Sequence, residues 1–188
     1  MDNNYGIGTS LSIPRGVPGL PALILEMEPL YVAERRLHEI RVVSPGTYKE
    51  LEGFYNEVCN TTSKFIAWVE YERLQAVKHQ GLERARVILE EAPLQFKKLQ
   101  DSGIKFNEDF REAVVMRDQK YQEALDRLNS IIAVKTLLEG KFWTFQRAYN
   151  SCAEMKMNKA QIAASPNLTG VLNTDDGNFI GERRRSNG

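Results

Sequence analysis

The sequence has no excess charge of either sign. Its 188 residues carry 25 Lys and Arg against 25 Asp and Glu. That balance excludes a strongly basic polyanion binder, so any contact with nucleic acid must come from a local patch. Cysteine is scarce. Cys59 and Cys152 are the only two; they make no disulfide framework, and the expected setting is a reducing cytoplasm. No apolar run approaches the length of a membrane span, so no membrane partner is expected. The opening MDNNYGIGTSLS lacks a basic n-region and an apolar h-region, and so does not read as a signal peptide.

Chemistry-bearing motifs are also missing. There is no GxxxxGK[ST], no GxGxxG after a strand and no GxSxG. The two histidines, His38 and His79, lie among charged residues with no acidic or cysteine partner at ligand spacing. They read as solvated surface side chains, and a metal is not expected. Glu70, Glu72, Glu90 and Glu91 are helix carboxylates without the Glu-x-x-His pairs of a bundle metal site. Cys59 and Cys152 fall on or beside apolar stripes and read as small buried hydrophobes. The sequence therefore predicts no enzyme, no catalytic residue and no cofactor.

Proline placement organises what remains. Pro14, Pro18 and Pro21, with Gly16 and Gly19, forbid regular helix near the N-terminus. Residues 1–21 read as an extended arm whose Ile13, Val17 and Leu20 dock on a neighbouring subunit. A short helix follows, with Pro29 at its start and Leu30, Ala33, Leu37 and Ile40 at helical spacing. After Ser44-Pro45 no proline appears until Pro93. Tyr48, Leu51, Tyr55, Val58, Phe65 and Val69 form a helical stripe, which predicts a long helix over 45–91. Gly81 is its weak point. A short helix then ends at Gly103, and Asn107 caps the next.

From 108 to about 161 there is again no proline. A heptad-like seam runs through Phe110, Val114, Arg117, Tyr121, Ala124, Leu128, Ile131, Lys135, Leu138, Phe142, Phe145, Tyr149 and Cys152. Arg117 and Lys135 interrupt it. The expected fold is all-α: a long antiparallel, coiled-coil-like hairpin within a helical domain of 22–164, followed by a flexible tail of 165–188.

The densest aromatic stretch is GKFWTFQRAY, residues 140–149. Phe142, Phe145 and Tyr149 continue the seam and read as core. Trp143 lies off it, which suits either a subunit interface or base stacking beside cations. Between 105 and 140 there are six basic and seven acidic residues. From 141 to 161 Lys141, Arg147, Lys156 and Lys159 face Glu154 alone. The candidate nucleic-acid contacts are thus Lys141, Trp143, Arg147, Lys156 and Lys159, with Arg183, Arg184 and Arg185 of the tail. Such contacts are weak singly and add across an oligomer.

The stretch MRDQKYQEALDRLNSIIAVKTLLEGKFWTFQRAYN resembles the C-terminal hairpin of the small helical recombination mediators of large tailed phages. YNEVCNTTSKFIAWVEYERLQAVKHQGLERARVILE resembles their long first helix. The likeness covers about half of the chain and rests on helix order and apolar rhythm. It implies an accessory protein of phage DNA metabolism, a homo-oligomer that binds single-stranded DNA and works with a recombinase in the cytoplasm of an infected bacterium. Two alternatives stand beside it. One is a virion structural or scaffold-type protein; the other is a helical adaptor for another protein.

Overall fold

The computed structural model describes residues 10–41, 47–99, 103 and 105–164. The described residues are all-α apart from one small hairpin. β1 (Ser10–Ile13) pairs antiparallel with β2 (Leu23–Glu26), with Leu11 opposite Leu25 and Ile13 opposite Leu23. α1 (Glu28–Arg36) has proline in its first turn, where the missing N–H costs nothing, and is followed by a 3-10 segment (Leu37–Arg41). α2 (Tyr48–Arg86) and α5 (Gln119–Ala164) run antiparallel as the long arms of a helical hairpin. α3 (Ala92–Leu99) and α4 (Glu108–Val115) close its far end. Among the described residues no helix is long and apolar enough to cross a membrane.

The main core is the seam between the two arms. Leu51, Tyr55, Val58, Phe65 and Val69 of α2 meet Leu128, Ile131, Leu138, Phe145 and Cys152 of α5, with Leu30 and Ala33 of α1 alongside. Tyr55 stacks on Phe145 at 6.5 Å between ring centroids, and its hydroxyl donates to the Ala33 carbonyl at 3.3 Å. Burial pushes the Tyr55 hydroxyl up to about 12 and raises both thiols, Cys59 and Cys152. Lys135 breaks the apolar rhythm, yet it joins the arms by reaching Glu70 of α2 at 3.1 Å. A second cluster of Val87, Ala92, Val114, Val115 and Tyr121 fills the far end.

Four sequence expectations need correction. Residues 10–26 are not a free arm: they form the hairpin, and Ile13 is wholly buried in the chain's own core. Ile13 is therefore unavailable to a neighbouring subunit, whereas Val17 and Leu20 are exposed. The segment Leu23–Glu26, expected within the helical domain of 22–164, is strand. Pro93 does not end the long helix. A π-helical turn (Val87–Glu91) widens the helix just before it and relieves the clash of the proline ring with the preceding turn, so that α3 follows directly. The last helix is broken at 116–118. Asp118 accepts from the Tyr121 N–H at 2.9 Å and binds Arg86 at 2.8 Å, so it caps a new helix, and Arg117 lies in the break, exposed. Asn107 caps α4 through the Phe110 N–H at 3.0 Å. Residues 1–9, the tail of 165–188 and the Ser44-Pro45 pair lie outside the described residues.

The hairpin is held by an ion pair inside the fold. Glu72 of α2 is 4 % exposed. Its carboxylate binds the Arg15 guanidinium at 2.7 Å and accepts from the Gly16 N–H at 2.7 Å. Arg127 of α5 donates to the Arg15 carbonyl at 3.2 Å. Gly16 is pressed onto α2: a Cβ there would stand 2.3 Å from the Glu72 carbonyl oxygen and 2.6 Å from the Ala76 nitrogen. Gly16→Ala is expected to destabilise the protein by about 1–3 kcal/mol through overpacking. Gly81→Ala, on the open face of the same helix, is expected to stabilise it by up to about 1 kcal/mol. Phe145→Ala is expected to cost about 3–5 kcal/mol. Denaturant melts of the three variants check the order. A Gly16→Ala variant as stable as Gly81→Ala would show that the loop is not seated on α2.

Candidate nucleic-acid interface

The sequence-predicted cations do not gather on one open surface. Lys141 is 13 % exposed in its side chain, pairs with Glu34 of α1 and lies over the Tyr31 ring. Lys156 pairs with Glu52 at 2.9 Å. Both are engaged across the bundle with residues more than a hundred positions earlier. Arg147 is exposed and, among the described residues, bonds its own helix through the Trp143 carbonyl at 3.3 Å. Trp143 is 61 % exposed, with its ring edge-on to Phe142 at 5.4 Å. Phe145 is wholly buried, and Phe142 and Tyr149 are half-buried against the core. The side chain of Lys159, and Arg183, Arg184 and Arg185, lie outside the described residues.

A second aromatic surface, which the sequence reading passed over, lies on α2. Its apolar stripe faces α5, and that fixes what the opposite side presents. From Thr61 to Leu82 the exposed residues are Ser63, Lys64, Ala67, Trp68, Tyr71, Leu74, Val77, Lys78, Gly81 and Leu82. They include two lysines and no carboxylate. The acids of this span are turned aside. Glu70 binds Arg73 and Lys135, which hold its carboxyl down at about 2, and Glu72 is in the buried ion pair. Trp68 is 51 % exposed and Tyr71 57 %. Three residues apart on a helix, their side chains rise about 5–6 Å from one another. Lys64 and Lys78 bracket them over about 21 Å of helix, and neither has an ion-pair partner among the described residues.

The hairpin turns part of this face into a groove of about 420 Å3. Leu23 and Ile24 of β2 form one wall, Trp68 and Tyr71 the other, and the Arg15–Glu72 pair the floor. Trp68 is steadied from behind by Phe65, at 5.8 Å between centroids. A sequence signal for the pair existed in AWVEY, where Trp68 and Tyr71 fall outside the Phe65–Val69 stripe.

A smaller, polar pocket of about 230 Å3 lies between α2, α5 and the hairpin loop, lined by Pro18, His79, Glu83, Lys120, Glu123 and Arg127. His79 is thus not a solvated side chain as the sequence suggested. It is half-buried, 3.9 Å from Glu83, whereas His38 is exposed. Among the described residues no three His, Cys, Asp or Glu side chains are grouped to hold a metal ion. No family model, no curated protein and no solved structure matches the chain.

Proposed function

We propose that the chain is a non-enzymatic accessory protein of phage DNA metabolism that binds single-stranded nucleic acid as an oligomer, and that the contact surface is the outward face of α2. The observation that carries the reading is the row Lys64, Trp68, Tyr71 and Lys78: two exposed rings one turn apart between two cations that have no ion-pair partner among the described residues, with no acid exposed among them. Flat rings give sequence-tolerant stacking, and flanking lysines follow the backbone. The row lies on the helix that resembles the long first helix of the phage recombination mediators, which supports the same reading. Trp143 and Arg147 offer a lesser platform on α5. Lys141 and Lys156 contribute only by giving up their ion pairs.

A gel shift or anisotropy titration with an oligothymidylate, repeated at several salt concentrations, tests this. Trp68→Ala or Tyr71→Ala is expected to weaken binding by about 1–3 kcal/mol each, with the salt slope nearly intact, because stacking releases no counterions. Lys64→Ala combined with Lys78→Ala is expected to flatten the slope by about 1.4. Undiminished affinity in the Trp68→Ala, Tyr71→Ala double variant, with the fold intact by circular dichroism, would remove α2 from the site.

The self-assembling structural reading is favoured by a different surface. From Asn129 to Trp143 every exposed residue of α5 is uncharged: Asn129, Ser130, Ile132, Ala133, Thr136, Leu137, Gly140 and Trp143. The hydroxyls of Ser130 and Thr136 bond their own helix carbonyls, at 2.8 and 3.0 Å. Lys135, Glu139 and Lys141 are drawn into ion pairs. Such a face loses water at little cost and suits a second copy of the helix. Light scattering should give an oligomer at tens of micromolar, and Leu137→Glu should shift it to monomer. A monomeric wild-type chain would end the oligomer component of both readings.

A further inference from the structure

The groove beside Trp68 has a floor that a mere stacking platform does not need. Arg15 is held by one side-chain contact and by the backbone on either side of it. Its Nε faces the buried Glu72 carboxylate at 2.7 Å. The next residue's N–H is bonded to the same carboxylate at 2.7 Å, and its own carbonyl is held by Arg127 of α5. The backbone on both sides of the Arg15 side chain is thereby tethered, and the ion pair keeps its guanidinium beside Glu72. Arg15 lines the groove, and its guanidinium makes no hydrogen bond among the described residues beyond facing Glu72. Walls of Trp68, Tyr71 and Ile24 stand around it. A flat aromatic wall beside a guanidinium matches a planar ring that carries two adjacent acceptors on one edge.

We propose that the groove seats one nucleobase of the bound strand and selects guanine, with O6 and N7 accepting from the free edge of Arg15 and the purine ring stacked on Trp68 or Tyr71. This rests on the reading of the α2 face as a nucleic-acid surface and adds a base preference to it. Guanine presents two adjacent acceptors at O6 and N7, and arginine meets them bidentately. Adenine sets a donor beside N7, which faces an N–H of the guanidinium unfavourably. Cytosine and thymine offer smaller rings to the aromatic wall of Trp68 and Tyr71. Arg15 carries its positive charge into the site already balanced by Glu72, so its contribution is directional hydrogen bonding more than attraction for phosphate.

The test uses oligothymidylates with one central substitution, by guanine, adenine, cytosine or 7-deazaguanine, titrated against the whole protein by fluorescence anisotropy. The guanine oligomer is expected to bind about tenfold tighter than the others, the order of discrimination of one bidentate contact. 7-Deazaguanine, which lacks only the N7 acceptor, is expected to lose most of that advantage. Arg15→Lys keeps a cation beside Glu72 but lacks the fork, and should show no guanine preference, read as the ratio of its affinities for the guanine-substituted oligomer and the plain oligothymidylate with the fold intact by circular dichroism. Equal affinity for all oligomers, a preference for cytosine, or a guanine preference that survives either 7-deaza substitution or Arg15→Lys overturns the guanine assignment and leaves the α2 surface standing. Failure of every oligomer to bind overturns both.

Discussion

Glu72 is a carboxylate on the inner side of a long helix, nearly removed from water. A buried charge is tolerated only when it is paired and hydrogen-bonded. Here both partners, Arg15 and the Gly16 N–H, come from a segment 56 residues earlier. That requirement draws the proline-rich loop onto α2, and the consequences follow in order. Gly16 must be glycine because backbone occupies the place of its Cβ. The strands on either side close as a hairpin and bury Ile13 and Leu25 in the core. Arg127 fastens the loop to the second arm. The outer wall of β2 then stands against Trp68 and Tyr71 and encloses the groove. Removal of Arg15 would leave an uncompensated buried carboxylate, so the anchor and the groove floor are one interaction serving two ends.

The helical part of the fold was legible because its signal is periodic. From Tyr121 to Cys152 the expected seam positions are buried or half-buried, with Lys135 spanning to Glu70 as an interruption that links the arms. Local chemistry without a period was read less well. Arg117 looked like a gap in the seam because the cap beside it, Asp118, gains meaning only through Tyr121 and Arg86. Pro93 looked like a stop, since nothing in the residues announces a π turn that makes room for it. The run LILE has four residues, too few for periodicity to tell strand from helix. The loop between the strands has no Asn-Gly or Asp-Gly turn to mark a hairpin. Glu72 itself was hidden by its charge, which on a single helix reads as a solvent-facing position.

The site was harder to read than the fold for one physical reason. Charge counted along a sequence does not see partners that the tertiary structure supplies. GKFWTFQRAY and the residues after it carry a local excess of cations, yet Lys141 and Lys156 are met by Glu34 and Glu52 from the far side of the bundle. On α2 the reverse occurs. The local sequence is rich in glutamate, but Glu70 and Glu72 are turned into ion pairs, and the exposed surface is left with Lys64 and Lys78 around two aromatic rings. Exposure after folding, more than composition before it, decides which aromatics can meet a partner.

Trp68 and Trp143 are the two tryptophans of the chain, and they sit on the two surfaces that compete for the role. Trp143→Phe leaves Trp68 as the sole indole reporter, and Trp68→Phe leaves Trp143. Titration of each variant with an oligothymidylate, followed by tryptophan emission, separates the surfaces directly. Stacking on the α2 row predicts saturable quenching in Trp143→Phe and little change in Trp68→Phe. Quenching confined to Trp68→Phe, reported by Trp143 alone, would contradict the placement of the nucleic-acid site on α2.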